Sequence, residues 1–426
     1  MIIHVVTSGD TLYQIGNTYG VSPFRLAIDN GIPYDSTLTV GQTIVVQFPS
    51  IVHTVKQNES LYQIAQQYGV TVISLYQNNP QLHGLPSVIP GQQLVITHDQ
   101  EKLGAFEVNG YGEPSISQNL LRQTLPYLTY VAPFTYGFTT DGNLIMLNDE
   151  QMISTANEYN TAALMHLSTL TESGGFDSSL AYIVLNNTTI QNKLIDEIIY
   201  NMRNKGYYGL DVDFEFINQQ DGQKYAAFIT NLRQRLNPLG YEVITALAPK
   251  ISATQQGLLY QGHLYKEIGI ASNAVFIMTY EWGYTYGPPM AVSPLPNVRA
   301  VLDYAITEIQ RDKIFMGISN YGYDWTLPYR TGDMARSISN EEAVRLAIQY
   351  NAAIEFDQKA QAPFFYYYDD IGNAHVVWFE DARSIKAKLA LIPEYGLRGA
   401  GYWNIMRPYQ QGWTVLNSLY DIKRVR

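Results

Sequence analysis

Within the stretch from Tyr207 to Ile217, acidic and apolar residues alternate strictly from Leu210 to Phe216. One set of alternate positions is acidic and comprises Asp211, Asp213 and Glu215. The other set is large and apolar and comprises Leu210, Val212, Phe214 and Phe216. Because successive side chains of a strand point to opposite faces, this pattern predicts a β-strand with three carboxyl groups on one side. A solvated strand face or a cation site of three oxygen ligands is the alternative. The large apolar face favours a barrel strand, packed on outer helices with its acids in the barrel mouth.

Strand-like and amphipathic helix-like segments alternate from residue 103 onward, a pattern typical of a parallel α/β sheet. The eight predicted strands span residues 103–109, 127–138, 162–168, 207–216, 242–249, 274–282, 313–321 and 397–405. Eight such units predict an α/β fold, the (β/α)8 TIM barrel, whose sites gather at the C-terminal strand ends. Candidate substrate contacts at those ends are Asn109, Glu281 and Trp282.

The segment 324–378 is too long for a simple strand–helix connection. It contains two strand-like runs, at residues 364–368 and 375–378. We therefore predict a small α+β insertion before the last barrel strand, within a barrel domain of residues 103–426. Residues 98–102 are polar and are predicted to be a linker.

The first hundred residues contain an internal repeat, because His4 to Ile15 recurs as His53 to Ile64, 49 residues later. Each copy predicts a small βααβ domain, one over residues 1–48 and the other over residues 51–97. Thr11 and Ser60 stand where a first helix begins and suit its N-cap, whereas Gly20 and Gly69 suit its end.

Three close carboxyl groups cannot all ionise at neutral pH without a large electrostatic cost. At least one of Asp211, Asp213 and Glu215 is therefore expected to keep its proton, with a raised pKa. A protonated acid beside an ionised partner is what cleavage of a glycosidic bond requires.

Composition narrows the possible functions. The 426 residues carry a net charge of −11 and include no cysteine, so nucleic-acid binding, disulfides and thiol catalysis are not expected. No apolar run approaches the ~20 residues of a membrane span, and we expect no membrane partner.

The first residues lack a basic, apolar leader, so no signal peptide is expected. The 34 tyrosines suit stacking on sugars. The seven histidines are scattered without metal-ligand spacing.

The two repeats resemble lysin motif (LysM) domains. That resemblance implies binding of glycans that contain N-acetylglucosamine, such as peptidoglycan or chitin, in a groove between two loops of each unit. The corresponding positions here are Gly9, Asp10, Thr11 and Ile32 in the first unit and Asn58, Glu59, Ser60 and Leu82 in the second.

The main domain resembles glycoside hydrolase family 18, the chitinase-like fold. The family signature Asp-Gly-x-Asp-x-Asp-x-Glu corresponds to residues 208–215, with Tyr208 in place of the first Asp. The Met-x-Tyr-Asp motif appears as Met278-Thr279-Tyr280-Glu281, with Glu281 in place of Asp. The Ser-x-Gly-Gly motif is matched in part by residues 173–175, and the floor tryptophan on the last strand by Trp403.

The resemblance implies a retaining, substrate-assisted mechanism that requires neither a metal nor a cofactor. Glu215 would protonate the glycosidic oxygen while Asp213 orients the 2-acetamido group of the sugar and Asp211 supports Asp213. Tyr280 would hold the acetamido oxygen, and Trp403 would stack beneath the ring. Met278 belongs to the same motif and is a further candidate substrate contact.

Two lysin motifs followed by a family 18 domain resemble the architecture of spore cortex-lytic enzymes of endospore-forming bacteria. This resemblance implies an N-acetylglucosaminidase that degrades cortex peptidoglycan during germination and is laid down in the spore coat and cortex region. The alternatives are a chitinase, another N-acetylglucosamine-specific endoglycosidase, and a lectin without catalysis.

Overall fold

The computed structural model describes residues 1–171 and 173–425. Its first part contains two βααβ units, each with its two strands paired antiparallel. The first unit consists of β1 (Ile2–Val5), α1 (Leu12–Tyr19), α2 (Pro23–Asn30) and β2 (Thr43–Val46). The second consists of β3 (Pro49–Thr54), α3 (Leu61–Tyr68), α4 (Val72–Asn78) and β4 (Gln93–His98). The predicted repeat of two such units is confirmed.

The predicted caps of the first helices are present. The Thr11 hydroxyl accepts a hydrogen bond from the Gln14 backbone N–H at 3.2 Å, and Ser60 forms a capping box with Gln63. Gly20 and Gly69 end α1 and α3 with φ near +68° and +67°, a conformation that favours glycine.

The rest of the chain alternates strands and helices. The strands are β5 (Ala105–Gly112), β6 (Tyr130–Pro133), β7 (Gly137–Phe138), β8 (Leu144–Ile145), β9 (Ala162–Ser168), β10 (Gly209–Asp213), β11 (Glu242–Leu247), β12 (Ala274–Ile277), β13 (Ile314–Ser319), β14 (Gly322–Leu327), β15 (Arg336–Ile338), β16 (Glu355–Asp357), β17 (Ala362–Tyr368), β18 (Ala374–Trp378), β19 (Gly399–Trp403) and β20 (Asp421–Ile422). The helices are α5 (Gln118–Thr124), α6 (Glu150–Glu158), α7 (Ser178–Asn186), α8 (Thr188–Lys205), α9 (Gly222–Leu236), α10 (Leu258–Gln261), α11 (Tyr265–Ala271), α12 (Leu295–Glu308), α13 (Asn340–Gln349), α14 (Ala382–Tyr395) and α15 (Gln410–Leu419).

Eight parallel strands close into a barrel in the order β5-β6-β9-β10-β11-β12-β13-β19, and β19 pairs back to β5. All eight overlap the predicted segments, so the predicted TIM barrel is confirmed. Along β10, Leu210 and Val212 are fully buried among the helices that surround the barrel, whereas Asp211 and Asp213 point inward. The strand ends at Asp213 and not at residue 216, so Glu215 lies in the loop beyond it.

The predicted insertion forms an antiparallel sheet of five strands in the order β15-β14-β18-β17-β16, with α13 packed on it. It begins at Gly322, directly after β13, and returns to the barrel at α14. Its first strand therefore starts at the C-terminal end of the barrel, next to the mouth.

The first lysin-type unit packs against α15 and the insertion, and the second packs against the barrel domain. The Thr414 hydroxyl in α15 donates to the Asp29 carbonyl at 2.6 Å, and Thr39 donates to the Ala352 carbonyl at 2.8 Å. A Cβ atom at Gly41 would lie 1.8 Å from the carbonyl oxygen of Ile354. In the second unit, the Tyr127 hydroxyl of the barrel donates to the Gln77 carbonyl at 3.1 Å. These contacts dock both units on the barrel domain.

Candidate active site

Three carboxyl groups occupy successive depths at the C-terminal end of β10. Asp211 is fully buried, the Asp213 side chain is 12% exposed, and Glu215 is open to the mouth. The predicted placement of the first two acids on the inner face is thus observed. Glu215 continues the line from the loop, where a substrate can reach it.

Asp211 is the innermost acid, and Tyr111 of β5 donates a hydrogen bond to its Oδ2 at 2.7 Å. Its Oδ1 has no hydrogen-bond partner among the residues that the structure describes. Burial raises the pKa of Asp211 to about 6, with His166 and Tyr111 opposing the rise and the charge of Asp213 adding to it. Asp211 is therefore a site that can take up a proton near neutrality.

The pKa of Glu215 is raised to about 7, first because its carboxyl is desolvated by the surrounding protein and then because of the charges of Asp213 and Glu281. The charge of His166 opposes the rise. Because this side chain is also open to the mouth, a sugar bound there would displace water from the carboxyl and favour the protonated form further. Glu215 thus has the properties of a general acid at neutral pH.

His166 was not predicted from the sequence, yet it contacts the acids. It lies on β9 in register with Asp211, and its Nε2 is 3.5 Å from Oδ2 of Asp213. Its Nδ1 is 2.7 Å from the Thr135 hydroxyl, and its ring packs against Phe134 with centroids 4.9 Å apart. The alternation of β9 could have placed His166 on the inner face, but its neighbour comes from another strand.

The partial Ser-x-Gly-Gly match at residues 173–175 lies in the exposed loop after β9, where Gly174 lines an open cleft together with Phe134 and Thr135. A Cβ atom at Gly174 or Gly175 would have no neighbour within 4 Å, so this part of the loop after β9 is open to solvent. The inward positions at the end of β9 are instead His166 and Ser168, and both are buried.

Tyr208, which stands in place of the first signature Asp, lies away from the acids. Its ring is 5.6 Å from that of Tyr130, near the ion pairs of Arg398 with Glu107 and Glu242. These groups occupy the N-terminal end of the barrel. The structure thus separates the Tyr208 side chain from the inner carboxyl groups.

Glu281 follows β12 with a φ of +66° and accepts hydrogen bonds from two tyrosines of the segment after β13. Tyr321 is one donor, and the Tyr323 hydroxyl is 3.0 Å from Oε1. Burial raises the pKa of Glu281, and both tyrosines oppose the rise. Glu281 thus stands where the Met-x-Tyr-Asp motif has Asp, and two tyrosine hydroxyls donate hydrogen bonds to its longer side chain. Neither tyrosine was predicted as its partner.

The aromatic candidates divide between the two sides of the barrel wall. Tyr280 is 8% exposed and packs in the barrel interior, as do Met278 and Trp403. Phe134 contacts the Trp403 ring edge-on, with centroids 4.9 Å apart. Trp282, in contrast, packs against the outer hydrophobic core.

Asn109 was predicted as a substrate contact, but the structure buries it inside the barrel with 3% of its surface exposed. It lies two residues before Tyr111 on the same face of β5, and Tyr111 is the residue that contacts Asp211. Tyr111 is just as buried, with 2% of its surface exposed, and the contact it makes is with Asp211. A substrate contact at Asn109 stays a prediction.

The lysin-motif candidates have mixed positions. Asp10 and Glu59 each accept hydrogen bonds within their own loop, from Thr7 and Lys56 backbone N–H groups at 2.7 and 2.6 Å. Leu82 is buried, with 4% of its surface exposed, so its side chain faces the core. The remaining candidates lie at or near the surface and are Gly9, Thr11, Ile32, Asn58 and Ser60.

The chain belongs to the glycosyl hydrolases family 18, whose model matches residues 108–407, and the LysM domain model matches residues 4–47 and 53–97. It is therefore a glycoside hydrolase with two LysM domains. The cortical fragment-lytic enzyme of Bacillus subtilis (strain 168) is 41% identical over 429 residues, which cover 99% of each chain. The crystal structure of the Bacillus cereus spore cortex-lytic enzyme SleL has a TM-score of 0.84 at 37% identity, covering 99% of this chain and 98% of that one. A chitinase from Chromobacterium violaceum has a TM-score of 0.68 at 25% identity, covering 74% of this chain and 98% of its own.

Among the described residues, no helix is long and apolar enough to cross a membrane.

Proposed function

We propose that this glycoside hydrolase is an N-acetylglucosaminidase that degrades the peptidoglycan of the spore cortex during germination, from the coat and cortex region of the spore. The observation that carries the chemistry is the line of Asp211, Asp213 and Glu215 with a raised pKa at its two ends. The choice of cortex glycan is supported by relatives named as cortical fragment-lytic enzymes, similar over the full length.

In the proposed first step, Glu215 donates its proton to the glycosidic oxygen, and the bond from that oxygen to the anomeric carbon breaks. The carbonyl oxygen of the sugar's own acetamido group bonds to the anomeric carbon, which gives an oxazolinium ion. This family is an exception to the use of a carboxylate nucleophile. Asp213 would accept the amide N–H and stabilise the developing positive charge.

The Tyr280 hydroxyl would donate a hydrogen bond to the acetamido oxygen. Burial and the nearby carboxylates raise the pKa of Tyr280 well above its usual value, so it remains a donor throughout. In the second step, Glu215, now ionised, takes a proton from water as the water attacks the anomeric carbon. The ring opens, Glu215 regains its proton, and the anomeric configuration is retained.

The test is a digest of purified spore cortex glycan and of chitin oligomers by the wild type and by Glu215→Gln. Glu355→Gln, at an exposed carboxyl on the edge strand β16, is the matched control. Products are reduced with borohydride and read by mass spectrometry. We expect reduced N-acetylglucosamine ends from cortex with the wild type and the control, and none with Glu215→Gln.

Reduced muramic acid ends would contradict the assigned sugar and indicate a muramidase. Cleavage of chitin without cleavage of cortex would favour the second candidate function, that of a chitinase. The observation that favours this candidate is the similarity to the chitinase from Chromobacterium violaceum.

A further inference from the structure

We propose that a cavity between the two LysM domains and the barrel, here named the seam cavity, is a second saccharide site for a neutral stretch of the same glycan. The sugar class rests on the proposed function. The cavity has a volume of about 470 Å³ and is lined by α2, the loop after it, the turn after α4, α5 and the start of α15. All three parts of the protein contribute to it.

Aromatic side chains provide surfaces on which sugar rings could stack. Phe24 and Tyr34 are 62% and 56% exposed, and their ring centroids are 6.2 Å apart. Trp413 is buried and lines the cavity from the side of the barrel. Two neighbouring exposed aromatic rings at the edge of a cavity are typical of a binding site rather than of ordinary surface.

The polar groups of the seam cavity suit a ligand rich in hydroxyl and amide groups. The side chains of Gln81, Gln123 and Gln410 line it, and the Gln123 amide lies 2.9 Å from Nδ1 of His83. Amides both donate and accept hydrogen bonds, as the hydroxyl and acetamido groups of a sugar do.

The charges of the cavity disfavour an anionic ligand. None of the described residues that line it is a lysine or an arginine. Burial raises the pKa of Glu341, with the Gln410 backbone N–H and Arg345 opposing the rise. A phosphate or a peptide carboxylate would thus find a carboxyl group and no Lys or Arg partner. The chemistry selects a neutral, peptide-free part of the glycan.

The seam cavity is distinct from the loop groove expected of a LysM domain. The loop residues Gly9, Asp10 and Thr11 do not line it, although Ile32 does. Gly31 lies where the first LysM domain meets α15, and a Cβ atom there would be 2.7 Å from Cβ of Gln410. Because this close contact packs the first LysM domain on α15, a chain held in the cavity would lie at a defined position relative to the barrel. Binding there raises the effective concentration of the same chain at the catalytic site.

The test compares Phe24→Ala/Tyr34→Ala with Tyr13→Ala, all in a Glu215→Gln background that cannot cleave. Tyr13 is 64% exposed on the same LysM domain and does not line the cavity, so it is a matched control. Isothermal titration calorimetry measures binding of the N-acetylglucosamine hexamer, and thermal denaturation checks folding.

We expect the double variant to lose about tenfold in affinity at one binding step, with Tyr13→Ala unchanged. With active enzyme, KM for long glycan should rise for the double variant, while kcat for a short fluorogenic N-acetylglucosamine substrate stays the same. Unchanged binding in the folded double variant, or an equal loss of affinity with Tyr13→Ala, would overturn the proposal that the seam cavity binds saccharide. The binding assay needs no cleavage, so its failure is distinguishable from failure of the proposed function.

Discussion

His166 and Asp213 face each other across β9 and β10, with Nε2 of the imidazole 3.5 Å from Oδ2 of the carboxylate. The Thr135 hydroxyl forms a hydrogen bond with the other ring nitrogen, Nδ1, at 2.7 Å, and this contact fixes the orientation of the ring. A ring held in this way lies beside the acids, and it is one of the influences that oppose the raised pKa of Glu215. The pH dependence of the enzyme should therefore respond to this residue.

The wild-type rate should fall above neutral pH. Glu215 must be protonated to act as the acid, and its pKa is raised to about 7 by desolvation and by the charges of Asp213 and Glu281. Above that pH, kcat/KM should fall about tenfold for each pH unit. A pH–rate profile with a short fluorogenic N-acetylglucosamine substrate measures this. A rate still rising at pH 9 would contradict the role of Glu215.

His166→Gln should move the alkaline limb of that profile to higher pH. The charge of His166 opposes the rise in the pKa of Glu215, so its removal leaves Glu215 protonated over a wider range. We also expect kcat to fall about tenfold, because Asp213 loses its neighbour. His4→Gln in the first LysM domain is the control. A lower kcat with an unmoved limb would indicate a purely structural role.

Glu281→Gln should move the same limb in the opposite direction. The amide oxygen can still accept from Tyr321 and Tyr323, but the negative charge that helps to raise the pKa of Glu215 is gone. The limb should therefore shift to lower pH, whereas Glu355→Gln leaves it unchanged. A shift of both Glu281→Gln and His166→Gln in one direction would refute this electrostatic account.

Asp211→Asn should stabilise the fold at pH 8 and leave its stability unchanged near pH 3. Burial raises the folded-state pKa of Asp211 to about 6. The folded protein therefore binds the proton more tightly than the unfolded chain, and stability is lost as pH rises through that range. Asn still accepts from Tyr111 without carrying the charge. The gain at pH 8 should be at most roughly 3 kcal/mol, measured by urea denaturation at both pH values.

Asn79→Ala should destabilise the second LysM domain by roughly 3 kcal/mol. The Asn79 amide donates to the Leu75 and Val95 carbonyls at 2.9 and 2.7 Å, and its oxygen accepts from the Val95 N–H at 2.8 Å. Alanine leaves these buried groups without a partner. Gln67→Ala, at an exposed position of α3, should have no effect. Hydrogen exchange of β4 amides measures the difference, and equal protection in both variants would contradict it.

The sequence predicted elements whose evidence is local. The alternation around Asp211 and Asp213 predicted that both side chains point into the barrel. The recurrence of His4 to Ile15 predicted the two βααβ units. Both signals lie within a short stretch of chain. The end of β10 was placed too late, since Phe214 and Glu215 continue the alternation although hydrogen bonding to β9 ends at Asp213.

What the sequence did not reveal depends on contacts between distant segments. Tyr111 and Asp211 are 100 residues apart and meet only because β5 and β10 belong to one closed barrel. The two tyrosine donors to Glu281 come from the next β/α unit. The sequence also did not show that Asn109 and Tyr111 are both buried, because a pattern of residues does not reveal which layer of a barrel a side chain occupies.

The tight packing of Gly41 against Ile354 and of Gly31 against Gln410 affects the products as well as the fold. Because this packing holds the first LysM domain against the barrel domain, a chain anchored on it would have a constant number of sugars between the anchored position and Glu215. Cleavage of a long chain would then release fragments of a narrow length distribution, set by the shape of the protein. A flexible linker would instead give a broad range of lengths.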